Sequence, residues 1–321
     1  ARYHQRYPRQ LRDYILAKLE FILPQVASIS SLYNVTQRLT LLKSFQKKIL
    51  RMTDIPLFHP KVKERLQTYG AVLVDQDLNN LPSNEHDVVF IVQDAFTRYF
   101  DTSVFLDLIT LIKKLGAIPY VLPYFPNGKP LHVHGFLDEF EKLRRKNITL
   151  LNQVSDLGYP IVGLDTAMTL VFRQEYHKRF TEELPEHRYQ VMLVQEWLKQ
   201  RLDEFELPKL STTQSMYYLA GHCTERTQEP KSNQMWKDIF QVFGLELESL
   251  TLGCCGMAGT YGHETEHLNQ SKMIYQQSWQ SKVELHHQWI LATGYSCRTQ
   301  VKRLEKTQLR HPIQVLLEKL D

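Results

Sequence analysis

Cysteine is scarce in this 321-residue sequence: Cys223, Cys254, Cys255 and Cys297 are all it has. A small disulfide-stapled secreted domain carries more cysteines in far fewer residues, so that class is excluded. No apolar run approaches the roughly 20 residues of a membrane-crossing helix, and no signal-peptide pattern opens the chain. A cytoplasmic protein is expected, with a peripheral place at the inner membrane face left open. There is no Gly-x-Gly-x-x-Gly stretch for a dinucleotide and no Cys-x-x-Cys-x-x-Cys run for ferredoxin-type clusters. Charge of one sign is not concentrated either. The net charge of +4 is spread, and basic stretches such as Lys142 to Lys146, with acids just before, read as solvated helix faces, so nucleic acid is not an expected partner. An initiating Met is also missing from Ala1-Arg2-Tyr3-His4, which suggests a piece of something longer.

With 43% hydrophobic and 23% charged residues, the chain suits one or two sizeable cores. Two amphipathic stretches, about Leu11 to Phe21 and Leu39 to Met52, predict helices, and Pro24, Pro56 and Pro60 punctuate them. From Val72 the pattern changes. Short apolar runs at Val88 to Val92, Ile118 to Leu122 and Ile161 to Leu164 alternate with helix-like segments at Val104 to Leu115 and Phe136 to Val154, the signature of βαβαβ with a parallel sheet. After a charged connector the series returns: strands at Met216 to Ala220, Leu245 to Leu252 and Trp289 to Thr293, helices at Met235 to Phe243 and Glu264 to Val283. The expected fold is therefore α/β, two pseudo-repeated βαβ units with parallel sheets flanked by helices, preceded by a helical N-terminal lead-in. The expected boundaries are 1–70 for the lead-in, 71–181 for the first repeat, 182–212 for the connector and 213–321 for the second repeat.

Laid on each other, the halves keep a near-constant offset, which is the mark of an internal duplication. Ile161 falls on Ile290 (290 − 161 = 129), Ala95 on Cys223 (223 − 95 = 128), and Pro126-Asn127-Gly128 on Cys254-Cys255-Gly256 (254 − 126 = 128). Met168 falls on Cys297. The first half thus has Ala95, Pro126, Asn127, Asp165 and Met168 where thiols are expected, and cannot hold a thiolate-bound centre in the same way.

In the second half, Cys223, Cys254, Cys255 and Cys297 form a candidate metal-ligand set. Four thiolates are what the common iron–sulfur clusters require and what a structural zinc takes. Adjacent Cys254 and Cys255 can both face one centre if the backbone turns sharply, and Gly256 and Gly259 supply that freedom. Each thiol is expected in a loop after a strand, so all four can converge outside the carboxyl ends of a parallel sheet. Four buried apolar cysteines are the plainer alternative. His222 reads as a loop histidine bonded to backbone in preference to a ligand. Arg226, Arg298 and Lys302 either offset cluster charge or are solvated. His263 and His267, spaced i, i+4, would share one face of a helix, and surface histidines are preferred there to a separate zinc site. Pro126-Asn127-Gly128-Lys129 with His132 and His134 makes a polar loop that suits a partner domain or an anion, a relic turn being the plainer account.

Gly221-His222-Cys223, Gly253-Cys254-Cys255-Gly256 and Tyr295-Ser296-Cys297 resemble the motif of the cysteine-rich CCG domain, duplicated in heterodisulfide reductase B subunits and in iron–sulfur subunits of glycolate and glycerol-3-phosphate oxidoreductases. The runs Leu252 to Glu264, Ala292 to Arg303 and Arg310-His311-Pro312 look like the C-terminal region of large bacterial FAD-linked oxidoreductases acting on D-2-hydroxy acids such as D-2-hydroxyglutarate or D-lactate. This resemblance extends over essentially the whole chain, from Tyr7-Pro8-Arg9-Gln10-Leu11-Arg12-Asp13-Tyr14 onward. It implies an iron–sulfur cluster, of the 4Fe-4S kind, on the four cysteines, with no catalytic residue in this chain itself. It also implies FAD in an N-terminal part not present here. The implied partners are the FAD-binding and ferredoxin-like domains of the same polypeptide and an electron acceptor such as a quinone. The family motif ends in Cys-x-x-Cys, whereas Gly294 stands at the earlier position, leaving four thiols and not five. Alternatives are a zinc-binding or metal-free docking module, and a thiol enzyme using Cys254-Cys255, which lacks an evident base.

Overall fold

The computed structural model describes residues 6–37, 39, 44, 47–78, 80–82, 86–178, 186–204 and 215–320. The chain's first residues, part of the second lead-in stretch and both ends of the connector lie outside these. Helices α1 (Leu11–Ala17), α2 (Leu19–Ser28), α3 (Ser30–Thr36) and α4 (Val62–Thr68) precede the first sheet. That sheet is built from β1 (Val72–Leu73), β2 (Val88–Val92), β3 (Ile118–Val121), β4 (Ile161–Gly163) and β5 (Val191–Leu193), all parallel, in the order β1-β3-β2-β4-β5. Its crossovers are α5 (Ala95–Phe100), α6 (Thr102–Lys114), α7 (Lys129–Val133), α8 (Leu137–Ser155) and α9 (Thr166–Arg173), and α10 (Val194–Glu204) follows β5. Hence β5 and α10 fall within the stretch whose composition reads as a connector.

The second sheet is β6 (Met216–Ala220), β7 (Glu246–Ser249) and β8 (Ile290–Ala292), parallel and ordered β7-β6-β8. Its helices are α11 (Cys223–Gln228), α12 (Ser232–Val242), α13 (Leu268–Ser278), α14 (Gln280–His286), α15 (Tyr295–Glu305) and α16 (Pro312–Lys319). The central strands repeat in register as well as in order. Phe90 pairs with Ile161 as Tyr218 pairs with Ile290, and Val88 with Ile118 as Met216 with Glu246. The expected α/β fold of two pseudo-repeated units is therefore what the chain adopts.

Strand alternation explains the layers. In β2, Val89 and Ile91 face one way and Val88, Phe90 and Val92 the other, and all five are buried, as strands covered by helices on both sides must be. The equivalents Tyr217 and Leu219 of β6 join Val89 and Ile91 in a single core, which includes Leu108 and Ile112 of α6, Trp236 and Phe240 of α12, and Ile313 and Leu316 of α16. Both sheets thus share a middle layer of helices. The outer face of the second sheet has a separate core, where Tyr218, Ala220 and Ile290 meet Met257, Trp279 and Cys255.

Two expectations are corrected. The basic run at 142–146 is not wholly a solvated face: Arg144 is fully buried, donating to the carbonyls of Tyr176, at 3.0 Å, and Lys178, and pairing with Glu141. Carbonyls left uncapped at the end of the first repeat need a donor, and a long guanidinium reaches them. The helix expected from Glu264 to Val283 starts at Leu268 and is interrupted at Trp279. Residues 261–267 form two tight three-residue turns, because Met52 bridges Glu264 and the amides of Thr53 and Thr265 pair with His263 and Arg51.

Candidate metal centre

The loops bearing the four cysteines all leave the carboxyl ends of the second sheet. Cys223 opens α11 after β6, the Cys254-Cys255 turn follows β7, and Cys297 lies in the first turn of α15 after β8. These loops bring the thiols into one chain of side-chain contacts, Cys223 to Cys254, Cys254 to Cys255 and Cys255 to Cys297. Cys255 and Cys297 are buried, whereas Cys223 and Cys254 are half-buried. The set therefore spans from the outer core to the rim.

Local packing fixes this arrangement. The Gly256 amide donates to Cys254 Sγ at 3.3 Å, and the Met257 amide donates to Cys255. Gly256 sits at φ +85°, and a Cβ there would lie 2.2 Å from the Ser271 carbonyl oxygen, so only glycine lets the turn lie against α13. The Ser271 hydroxyl closes the contact by donating to Gly256 O at 2.7 Å, and Gln300 Nε2 donates to that hydroxyl at 2.9 Å. On the other side of the turn, Trp279 Nε1 donates to Gly253 O at 3.1 Å and the Gly253 amide to Ser278 Oγ at 3.1 Å.

The electrostatics are those of crowded neutral thiols. The Cys254 contact, followed by burial, pushes the Cys223 thiol far up. For Cys254 the contact with Cys223 pulls down, but the contact with Cys255 and burial outweigh it, and the thiol ends above its usual range. Cys255 is pulled down by Cys254 yet driven well up by Cys297 and burial. The contacts are pairwise along the chain, with no three of the sulfurs all within 4.8 Å of one another, and ionising such neighbours calls for the positive charge that a thiolate-ligated metal centre supplies as it displaces the protons. The donor set fits such a group.

Neighbouring residues have defined roles. His222 caps α11: its Nδ1 accepts from the Thr224 amide at 3.2 Å, which leaves the proton on Nε2, 3.2 Å from Ser296 Oγ. A Cβ at Gly294 would meet the His222 ring at 2.3 Å, so the imidazole fills the space where a fifth thiol would begin. Arg298 is 2% exposed; Nε and Nη2 bind Asp101 at 3.0 and 2.8 Å and Nη1 the carbonyls of Ala292 and Thr293. Its charge is matched by that partner in the first half. Arg226 is held by the Leu252 carbonyl, and Lys302 is exposed. Glu225, fully buried, accepts from His222 N, Thr293, Ser232, Trp236 and Gln195, and from Thr166 at 3.3 Å. Asp165 Oδ1 caps its own helix at Met168 N, and Oδ2 accepts from the Tyr295 amide at 2.9 Å, the first residue of α15.

The residues His263-Glu264-Thr265-Glu266-His267 have the letters of a helical zinc-protease motif, but the segment is not an α-helix. Contrary to the expectation of surface histidines sharing a helix face, His263 is buried with Nδ1 3.1 Å from Thr53 O, because pairing with residues 51–53 draws it inward, while His267 stacks on Tyr261. Glu264, Glu266 and His267 do come close, yet Arg12 bridges the two acids at 3.4 and 2.6 Å. In the first half the amides of the polar turn already have an acceptor within this chain. The turn is filled by the carboxylate of Glu20 from α2, which accepts from the Asn127 amide at 3.3 Å and the Gly128 amide at 2.8 Å. Glu20, Asp101, Asp165 and Glu225 escaped notice in the sequence as site-building residues. The only trace was Asp165 appearing at a position aligned to the missing motif cysteine.

Residues 217–302 match the family described as "CCG: Cysteine-rich domain". The second half carries a CCG cysteine-rich region. Over 320 residues, 98% of its length, the chain is 42% identical to a D-2-hydroxyglutarate dehydrogenase of Pantoea ananatis, and it spans 31% of that protein. A D-2-hydroxyglutarate dehydrogenase of Haemophilus influenzae is 40% identical over 330 residues, 99% of this chain and 32% of that protein. One subunit of the anaerobic glycerol-3-phosphate dehydrogenase of Escherichia coli K12 is 26% identical over 238 residues, 73% of this chain and 59% of that subunit. The chain thus spans about a third of the length of the D-2-hydroxyglutarate dehydrogenases it matches. Among the described residues no helix is long and apolar enough to cross a membrane.

Proposed function

We propose that this chain is the iron–sulfur electron-transfer portion of an FAD-linked D-2-hydroxy-acid dehydrogenase, with D-2-hydroxyglutarate as the substrate class of the whole enzyme. Residues 213–321 are the unit that holds the centre, 71–181 a cysteine-less repeat, 1–70 a lead-in and 182–212 the connection, which also lends β5 to the first sheet. The observation that carries the reading is the contact chain of Cys223, Cys254, Cys255 and Cys297 at one sheet edge, brought in by loops far apart in sequence. These four thiolates would hold a 4Fe-4S cluster. When bound, such a cluster takes up and passes on one electron at a time. Electrons would arrive from reduced FAD in the larger polypeptide and leave towards an acceptor such as a quinone.

The chain's own contribution is positional. The amides of Gly256 and Met257 point at the sulfurs of Cys254 and Cys255, and such donors favour the thiolate form. Burial of Cys255 and Cys297 shields one side of the centre from water, and the half-buried pair leaves the other side open to an approaching redox partner.

Anaerobic purification or reconstitution tests the assignment. A brown protein with about four irons per chain and broad visible absorption is expected. Cys254→Ser should lower the iron content to well under half while leaving the circular dichroism intact. One zinc per chain in a colourless protein would instead support a structural, docking role for the same thiols. Full iron loading in the Cys254→Ser variant would remove that residue from the ligand set.

A further inference from the structure

One buried carboxylate stands behind two of the cysteine loops. Glu225 lies in the first turn of α11, two residues after Cys223, and is fully buried. Its Oε1 accepts from Gln195 Nε2 at 3.1 Å, from Trp236 Nε1 at 3.4 Å and from the Ser232 hydroxyl. Its Oε2 accepts from the His222 amide at 3.4 Å, from Thr166 Oγ1 at 3.3 Å and from the Thr293 hydroxyl. Helix α9 of the first repeat, α10, α12 and the loop after β8 therefore meet on one side chain of α11.

The donors define the state of this acid. The N–H groups of Gln195, Trp236 and His222 can only donate. Gln195 Nε2 also donates to Ser232 Oγ at 2.7 Å and the His222 amide to Thr293 Oγ1 at 2.9 Å, so each hydroxyl already receives an N–H and turns its own proton towards Glu225. An ionised carboxylate accepts from all of them, whereas a protonated acid would set a proton against one. None of these partners is a cation. Arg298 is bound to Asp101, and Arg173 to Glu196 and Glu229. A charge buried among neutral donors keeps its field, because neither water nor a counter-ion screens it.

Both cysteine loops hang on Oε2. His222 directly precedes Cys223, and Thr293 starts the loop that leads through Gly294 to Cys297. The bond from the His222 amide to Thr293 lies between them, so the carboxylate grips the junction of the two loops.

We propose that Glu225 is the positioning residue of the cysteine site: it clamps the Cys223 and Cys297 loops together, and its fixed negative charge disfavours adding an electron to the centre they hold. Only the second effect rests on the iron–sulfur reading. Four thiolates already make such a site negative, and an unscreened anion behind them opposes further negative charge, which lowers the reduction potential.

A redox titration of the anaerobically reconstituted chain, followed by electron paramagnetic resonance, reads the charge. Glu225→Gln keeps the shape and removes the charge, so the midpoint should rise by about 60 mV, an increase of about tenfold in the ratio of reduced to oxidised centre at a fixed potential. Gln195→Lys leaves Glu225 in place and gives it a counter-ion, so the midpoint should rise likewise. Hydrogen–deuterium exchange of the metal-free chain reads the clamp: Glu225→Gln should speed exchange at 222–228 and 293–297 together by about tenfold, while Gln195→Lys leaves both loops protected. Midpoints equal to that of the wild type in both variants, or exchange at the two loops unaffected by Glu225→Gln, would overturn the proposal. Should Glu225→Gln fail to fold, the Gln195→Lys midpoint decides. A wild-type chain that takes up no iron counts against the proposed function, and the exchange measurement then decides the clamp on its own.

Discussion

Gly256 offers the sharpest test of how the cysteine turn is built. Replacing it with alanine imposes two costs of different origin. A side chain at φ +85° costs about 1 kcal/mol. The new Cβ would also stand 2.2 Å from the Ser271 carbonyl oxygen, a backbone atom of α13 that cannot rotate away, so the turn and helix must separate by close to an ångström. That separation disrupts the hydrogen bond from Ser271 to Gly256 O and loosens the one from Gln300, each worth about 1 kcal/mol. The sum is about 3 kcal/mol for Gly256→Ala. Gly259 is the matched control. It lies three residues on at φ +67° with nothing within 4 Å of an added Cβ, so Gly259→Ala should cost only the backbone contribution of about 1 kcal/mol. Urea titration monitored by Trp fluorescence measures both, and reaction of the thiols with a chromogenic disulfide under native conditions reports whether Cys254 and Cys255 have moved. Equal losses in the two variants, with unchanged thiol reactivity, would refute the claim that contact with α13 is what demands glycine.

Two further outcomes follow from the buried charges. Arg298→Met should destabilise by about 3–5 kcal/mol, since it leaves Asp101 buried and unpaired, and adding Asp101→Asn should recover part of the loss; denaturant midpoints of the single and double variants check this. His263 is held neutral, its pKa lowered from 6.5 to about 4 by burial and then by Arg303. Its contribution is complete above pH 6.5 and is lost as pH falls towards 4, so between pH 7 and pH 4.5 wild type should lose about 2–3 kcal/mol more than His263→Gln, again by urea titration at the two pH values.

The sequence already revealed much of the fold because strands flanked on both sides by helices are written as continuous apolar runs. Val88 to Val92 and Met216 to Ala220 were readable for that reason, and so was their common spacing. The cysteine turn was readable because thiols side by side with glycines have few other uses. What stayed hidden depends on partners distant in sequence. Arg144 looks like any basic residue on a helix face until the carbonyls of Tyr176 and Lys178 arrive beneath it. Glu20 gives no sign of reaching a turn more than a hundred residues away. The helical reading of 264–267 failed because pairing with residues 51–53 competes for the same backbone groups. Strand β5 was concealed by the charged residues around its three-residue core.

Asp165 carries an implication for the half that has no cysteine. Gly294, at the head of the helix bearing Cys297, has no side chain with which to hold that helix's first amide, and an aspartate from the other repeat does so. The duplicate that cannot grip a centre has become the anvil against which its twin is shaped. The two repeats are joined at the head of this helix as well as through the core they share.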